Sequence, residues 1–391
     1  MRRNAQKRLA LVVKILVVLV GISYSLWVNR RLVIHASKFL IDGSYRSCVH
    51  QRRNYELEEK SSPLYVTKER HGRLGNWLFG YSSLLGIAKA NGYLPYFLSS
   101  HPLNSYFQLS YVRNIDAECL FDVYDDLPCT YTSSMMNLPS GNISIDGYTQ
   151  SWKYFRFIEK ELRQELKVRP HLDHYAKKLL NKYVGSHIAA GRLVISIHVR
   201  RGDVLKPEAR KLGFCHAPKE YFDNAMRYML NLFPHSVFLV TSDDISWCID
   251  NIKPPILRDL LSEAKLSKIK HDNPKIKSSV FDERVPIVYS QSRSSWDDFS
   301  MLMLCNHSII SVGTFGWWGA WFAKGHVVYY DGFPLPGSKI DYETNKEDFF
   351  PSDWVALSAG ASFEWRTSHF LFLYFISLQF AVNLYIGCVT S

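Results

Sequence analysis

The stretch VISIHVRRGDVL (Val194–Leu205) decides the fold. It opens with apolar and β-branched residues typical of a buried strand and then passes directly into His198, Arg200, Arg201 and Asp203. Strands buried on both faces belong to parallel sheets that are covered by helices. Polar side chains at the point where such a strand ends predict a ligand site at the carboxyl edge of the sheet.

The residues after this stretch continue to alternate between strand and helix patterns. The predicted strands are LVISIHV, SVFLVT, VPIVYS, SIISVG and HVVYYD, and the predicted helices are KEYFDNAMRYMLNLFP, SSWDDFSMLMLCN and TFGWWGAWFA. This alternation predicts an α/β fold with a parallel sheet and right-handed crossovers.

Three of the predicted strands end in polar or glycine residues, which we expect to share one sheet edge. Asp243 and Asp244 follow the second strand, and Gly313 and Thr314 open a helix after a later one. Arginine side chains and a free helix N-terminus both favour an anion as the occupant. Taken singly, each feature has a simpler explanation, such as a solvated Arg-Arg loop or aspartates that cap a helix.

Composition sets the limits of the fold and of the binding partners. The chain has 391 residues, of which 47% are hydrophobic, so it can bury two sizeable domains. A formal charge of +11 suits nucleic acid, an anionic membrane or a phosphorylated small molecule. The scattered Lys and Arg residues form no dense basic stripe, which argues against nucleic acid.

The N-terminus has the pattern of a membrane anchor. The apolar run Leu9–Val28 is long enough to cross a bilayer and follows Arg2, Arg3, Lys7 and Arg8. Its length and the lack of a small-x-small cleavage site favour a signal anchor over a cleaved signal peptide. The basic flank then places the rest of the chain in the lumen.

The C-terminal stretch His369–Ser391 contains no Asp, Glu, Lys or Arg and also has spanning length. Three interpretations remain open: a second transmembrane helix, a glycolipid-anchor signal with small residues at 358–362, or an end with no catalytic role.

Cysteines and sequons fit a lumenal location. An even number of cysteines between anchor and tail permits disulfides: Cys48, Cys119, Cys129, Cys215, Cys248 and Cys305. None forms a CxxC pair, so zinc is not expected. We expect the sequon at Asn142, in a turn-rich stretch, to carry glycan and the one at Asn306, beside apolar runs, to be buried.

The first half of the chain contains a second candidate ligand-binding segment, GRLGNWLFGYSSLLGIAKANG. Gly72 and Gly75 bracket a tight turn in which Asn76 can approach a ligand. The segment is neither GxGxxG nor a P-loop, so nucleotide hydrolysis has no support.

Four segments in order resemble the inverting α1,2-fucosyltransferases that use GDP-fucose, glycosyltransferase family eleven. They are GRLGNWLFGY, ISIHVRRGD, FLVTSDDISWC and SSWDDFSMLMLCNHSIISVGTFGWWGAW, within residues 64–357. Trp77 departs from the glutamine common after Gly-Asn in the family. The hydrophobic tail lies outside the pattern.

The resemblance implies a GT-B fold, in which two Rossmann-like domains face each other across a cleft. The predicted divisions are a cytoplasmic tail and anchor (1–30), a stem (31–62), an acceptor-side domain (63–185), a GDP-fucose-binding domain (186–357) and the hydrophobic tail (358–391). It also implies transfer of L-fucose to the 2-hydroxyl of a terminal β-galactoside on a glycoprotein or glycolipid, by a Golgi enzyme. The alternatives are another fucose linkage and a non-catalytic glycan-binding protein.

By motif position, Arg200 meets the GDP pyrophosphate, and Arg201 supports the loop or the second phosphate. Asp203 or His198 is the candidate base for the acceptor hydroxyl. Asp243, Asp244, Asp297 and Asp298 are candidates for guanine and ribose contacts. The remaining predicted donor contacts are Gly75, Asn76, Thr314, Phe315 and Gly316.

No Asp-x-Asp metal motif occurs in the chain. Arginine together with the helix N-terminus at Thr314–Gly316 supplies the same electrostatic stabilisation of the leaving diphosphate. We therefore expect a metal-independent enzyme without a cofactor.

Overall fold

The computed structural model describes residues 64–113, 121–125, 127–259, 263–272 and 284–360. The predicted anchor at 1–30, the stem at 31–62 and the hydrophobic stretch 369–391 lie outside the described residues. In the part of the chain that the structure describes, no helix has both the length and the apolar character needed to span a membrane.

A first parallel sheet of five strands has the order β3-β2-β1-β5-β4. Its strands are β1 (Tyr65–Lys68), β2 (Leu94–Leu98), β3 (Val112–Arg113), β4 (Phe121–Asp125) and β5 (Ile143–Gly147). Helix α1 (Leu74–Asn91) follows β1 and ends at Gly92, whose φ of 70° is the left-handed conformation that glycine adopts without strain. Because β1 lies between β2 and β5, the chain changes direction across the sheet beside β1.

A second parallel sheet of six strands has the order β11-β10-β9-β6-β7-β8. Its strands are β6 (Leu193–Val199), β7 (Ser236–Ser242), β8 (Ile287–Tyr289), β9 (His307–Ile310), β10 (Val327–Tyr330) and β11 (Val355–Leu357). This is the order of a doubly wound Rossmann sheet, with its switch point between β6 and β9. The prediction of an α/β fold with parallel strands is confirmed.

The remaining helices connect and cover these strands. They are α2 (Glu159–Glu165), α3 (Pro170–Ala189), α4 (Pro207–Leu212), α5 (Lys219–Leu232), α6 (Ile245–Asn251), α7 (Glu263–Asp272), α8 (Ser295–Met303), α9 (Thr314–Ala323), α10 (Lys339–Tyr342) and α11 (Lys346–Phe349). Leu180 and Val184 of α3 pack with Val194 and Val237 of the second sheet. The predicted domain boundary at residues 185 and 186 therefore falls inside a helix that packs on the second sheet.

The two halves share one aromatic core. Phe79 of α1 contacts Trp317 and Trp318 of α9 with ring centroids 4.6 and 5.2 Å apart. All three side chains are fully buried, and Trp317 Nε1 donates to the carbonyl oxygen of Phe349 at 2.9 Å. Hydrophobic packing between α1 and α9 thus fixes the position of the first half against the N-terminus of α9.

The predicted sequons lie at the starts of strands. Asn142 is half-buried directly before β5, and its Oδ1 accepts a hydrogen bond from Tyr65 N at 3.2 Å. Asn306 is exposed, and its Oδ1 accepts from Val194 N at 2.8 Å. The expectation that Asn306 is buried was wrong, because the residue lies at the amino edge of the sheet, where the apolar strand has not yet begun.

Three of the cysteines are free thiols in the described structure. Cys215 lies in a loop, where its Sγ donates to the carbonyl oxygen of Gly332, whereas Cys248 and Cys305 are buried. Cys48 and Cys119 lie outside the described residues.

Candidate active site

A cavity of about 620 Å³ lies between the carboxyl edge of the second sheet and the first turn of α1. Most of the predicted site residues lie in its wall: Gly75, Asn76, His198, Arg200, Asp243, Asp298, Thr314 and Phe315. Five others do not line it, namely Arg201, Asp203, Asp244, Asp297 and Gly316. The cavity opens at the switch point of the sheet, where ligands of such folds bind.

Arg200 lies at the centre of this switch point, in the loop after β6. Gly313, the residue before α9, has a φ of 90°, and a Cβ atom added there would lie 2.3 Å from Arg200 Nη1. Glycine at 313 therefore permits both the backbone conformation and the close approach of the guanidinium. The arginine charge and the N–H groups at the start of α9 lie side by side, an arrangement that suits an anion.

The carboxylate of Asp203 is hydrogen-bonded to two arginines. It accepts hydrogen bonds from Arg200 Nε at 2.9 Å and Nη2 at 2.8 Å, and from Arg73 Nη2 at 2.9 Å. Hydrogen bonds from Arg200 and the charges of both arginines lower the pKa of Asp203. Partial burial raises it but is outweighed, so the pKa lies below its usual range. The carboxylate thus orients Arg200 and is a weak base.

Arg201 turns away from the cavity. Its guanidinium lies 3.9 Å from the centroid of the Trp247 ring, and its Nε donates to Asp244 Oδ2 at 3.1 Å. The two oxygens of Asp243 accept the backbone N–H groups of Arg201 and Gly202 at 2.7 and 3.0 Å. Of the two roles considered for Arg201, this arrangement favours support of the loop.

His198 forms part of the cavity wall and is buried. A Cβ atom at Gly316 would lie 2.4 Å from its Nδ1, which has no hydrogen-bond partner among the described residues. Burial lowers the pKa of His198 to about 4, an effect that Asp243 opposes and Arg200 reinforces. The imidazole is therefore neutral near pH 7 and has little tendency to accept a proton.

Asn76 joins the two halves at the cavity. Its Oδ1 accepts from Thr314 Oγ1 at 2.7 Å and from Gln150 Nε2 at 3.0 Å. Gly75 lies in the first turn of α1 rather than in the predicted turn, where only Gly72 has a positive φ of 66°. The glycine at 75 is needed for contact, since a Cβ atom there would lie 2.6 Å from the Thr314 carbonyl carbon.

The two aspartates at the start of α8 differ in environment. Asp298 lines the cavity, and its Oδ1 accepts from Ser290 Oγ at 2.6 Å. Burial raises the pKa of Asp298 to about 6. Asp297 instead accepts from Ser292 Oγ at 2.9 Å and Tyr175 OH at 3.3 Å. Of these two aspartates, Asp298 is the one positioned to contact a ligand in the cavity.

The cavity wall also holds side chains that were not predicted as site residues, among them two aromatic residues and two arginines. Tyr106 and Trp296 stack with ring centroids 4.3 Å apart, and Trp296 Nε1 is buried without a hydrogen-bond partner in the described ranges. Arg73 and Arg293 add positive charge. Arg73 had a sequence signal, because a cation beside a helix N-terminus is electrostatically unfavourable unless an anion accompanies it.

The family model of Glycosyl transferase family 11 matches residues 40–270 and 275–358. Galactoside alpha-(1,2)-fucosyltransferase 1 of Saimiri boliviensis boliviensis is 27% identical over 303 residues, which cover 75% of each chain. The same enzyme of Ateles belzebuth is 26% identical over 306 residues, again 75% of each chain.

Two similar solved structures are also fucosyltransferases. An Arabidopsis thaliana FUT1 mutant in complex with GDP has a TM-score of 0.42 at 13% identity, over 72% of this chain and 73% of that one. The fucosyltransferase NodZ from Bradyrhizobium has a TM-score of 0.39 at 12% identity, over 70% and 98%. The family match extends over most of the present sequence and includes all four motifs. The chain belongs to glycosyltransferase family 11, and the prediction of an enzyme of this class is confirmed.

Proposed function

We propose that this protein transfers L-fucose from GDP-fucose to the 2-hydroxyl of a terminal β-galactoside, with inversion at the anomeric carbon. Family membership supports fucose transfer, and the α1,2 linkage follows the names of the relatives. The observation that carries the proposal is the Arg200 guanidinium against Gly313 at the N-terminus of α9. The two sheets then act as the facing domains of a GT-B enzyme.

The proposed reaction separates charge. As the bond between fucose C1 and the diphosphate breaks, the sugar becomes positive and GDP becomes more negative. Arg200 and the N–H groups at the start of α9 stabilise the leaving diphosphate, and Arg73 adds a second guanidinium nearby. Asp203 holds Arg200 in place before the donor binds.

The proposed guanine site consists of Tyr106, Trp296 and Asp298, which line the same cavity as Arg200. The stacked rings of Tyr106 and Trp296 offer an apolar platform, and Asp298 offers a carboxylate for the N1–H and N2–H donors of guanine. With a pKa of about 6, Asp298 is mostly ionised at neutral pH and accepts hydrogen bonds.

A linkage-resolved assay tests the activity. Purified full-length protein with GDP-fucose and a panel of terminal β-galactosides is expected to yield fucose on the galactose 2-hydroxyl. A product with fucose at another position would replace this proposal with another fucosyltransferase activity. Donor binding or glycan binding without product would identify a non-catalytic protein.

We also propose that transfer needs no metal ion. Arginine and helix N–H groups supply the charge stabilisation for which other glycosyltransferases use a cation. Activity is therefore expected to persist in excess EDTA. A tenfold loss that Mn²⁺ or Mg²⁺ restores would contradict this.

The proposed location is the Golgi lumen, with a single N-terminal anchor. It follows from the apolar run Leu9–Val28 and its basic flank. GDP-fucose, a galactoside glycan and the membrane are the proposed partners.

A further inference from the structure

Transfer to a hydroxyl group requires a base, and both residues that the sequence suggested are poorly suited. The Asp203 carboxylate is held by Arg200 and Arg73, so accepting a proton would break two ion pairs. His198 is buried, and its Nδ1 lies against Gly316.

The first sheet has its own switch point, between β1 and β5, and a histidine–carboxylate pair lies there. His71 follows β1, and Asp146 lies near the carboxyl end of β5. His71 Nε2 and Asp146 Oδ1 are 2.5 Å apart. The side chains are 37% and 31% exposed, so a substrate in the cleft can reach them. Ligands of parallel sheets bind at such a crevice.

The histidine of this pair lies next to the donor cavity. His71 lines a small pocket whose wall includes Asn76 and Trp77, and both of these residues also line the donor cavity. His71 is two residues from Arg73, which fixes their Cα atoms within roughly 7 Å of each other. Arg73 in turn reaches across to Asp203 at 2.9 Å. The acceptor-side half therefore presents His71 beside the point where the two halves meet.

We propose that His71 is the catalytic base for the acceptor hydroxyl and that Asp146 is its positioning residue. This inference rests on the proposed fucosyltransferase activity. With Nε2–H donated to Asp146, Nδ1 carries the lone pair. The proton of the galactose 2-hydroxyl passes to Nδ1 while its oxygen bonds to C1 of fucose. The bond from C1 to the phosphate oxygen breaks, and its electron pair leaves on GDP.

The surroundings of the pair keep Asp146 ionised. Burial raises its pKa, but hydrogen bonds from Gly147 N and His71 and the charge of Lys68 outweigh this and lower it overall. The Tyr148 ring lies 5.5 Å from the His71 ring. Three further charged or titratable residues face the same pocket, namely Glu69, Arg70 and His101. An ionised Asp146 stabilises the imidazolium that forms during transfer, as carboxylates do beside catalytic histidines.

The test replaces His71 with Gln in the full-length protein. General base catalysis contributes about 10² to 10⁴ in rate, so we expect kcat for transfer to fall by that factor. GDP affinity, which does not depend on the acceptor base, is expected to stay within twofold of wild type. The matched control is His174→Gln, an exposed histidine on α3 that lines neither pocket, and it is expected to be fully active.

Asp146→Asn provides a readout that a purely structural role would not give. Asparagine keeps the size of the side chain but lacks the negative charge that stabilises the imidazolium formed during transfer, so kcat is expected to fall while KM for the acceptor and GDP affinity stay within twofold of wild type. In His71→Ala, added imidazole is expected to restore part of the activity.

The outcomes separate the two proposals. Transfer by His71→Gln within a fewfold of wild type would overturn the base assignment, as would a parallel loss of GDP affinity and transfer. Absence of any fucosylated product from the wild-type protein would instead overturn the proposed function.

Discussion

Replacement of Arg200 by alanine is expected to lower kcat by roughly 10² to 10³, the usual cost of losing one donor to a developing negative charge. The charge on the diphosphate grows as the bond to fucose breaks, so the guanidinium stabilises the transition state more than bound GDP-fucose. Affinity for GDP is expected to weaken as well. Steady-state kinetics with a galactoside acceptor and a GDP titration measure both effects.

Arg200→Lys is expected to remain severely impaired. Lysine keeps the charge but lacks the planar fork that contacts both oxygens of Asp203 at 2.9 and 2.8 Å and packs against Gly313. A folded Arg200→Ala protein, verified by circular dichroism, with turnover within a fewfold of wild type would refute the anion-site assignment.

The neighbouring arginine is the matched control. Arg201 is bonded to Asp244 and stacked on Trp247, with 11% of its side chain exposed. Arg201→Ala therefore loses packing and an ion pair that support the loop. A lower Tm with a smaller loss of kcat is expected, which is the opposite balance to Arg200→Ala.

The second sheet could be predicted from the sequence because its strands are continuous apolar runs. LVISIHV became β6 (Leu193–Val199), a strand with buried residues from Val194 onward. The first sheet could not be predicted in the same way. Its β2 (Leu94–Leu98) is half-exposed and β3 has only two residues, so neither carries a clear apolar pattern.

The site residues that directly follow strands could be predicted from the sequence. Those that packing between the two halves brings to the cavity could not. Arg200 and Thr314 follow β6 and β9, and both line the cavity. Tyr106 lines the same cavity and stacks on Trp296, which is distant in sequence. Asp244 was predicted to contact substrate, but its carboxylate caps α6 and pairs with Arg201. Local capping satisfies an aspartate at a helix start without any ligand.

The contact between the halves leads to a prediction at Gly75. Alanine normally favours a helix over glycine by about 0.5 to 1 kcal/mol. At position 75, however, the new Cβ would lie 2.6 Å from the Thr314 carbonyl carbon and 2.8 Å from Phe315 N. These are backbone atoms of the first turn of α9, so they cannot rotate away, and the helix start must shift.

A displacement of this kind moves the N-terminus of α9, and with it Thr314, away from the first half of the chain. A shift of about 1 Å in a catalytic arrangement can cost roughly 10² in rate, and we expect Gly75→Ala to lower kcat/KM by about that factor. Gly80→Ala in the same helix is the control, because its Cβ would lie 3.7 Å from Lys68 Cγ, an ordinary contact. Gly80→Ala is expected to keep full activity with an unchanged or higher Tm. Equal activity of the two variants would show that close contact between α1 and α9 is not needed for the reaction.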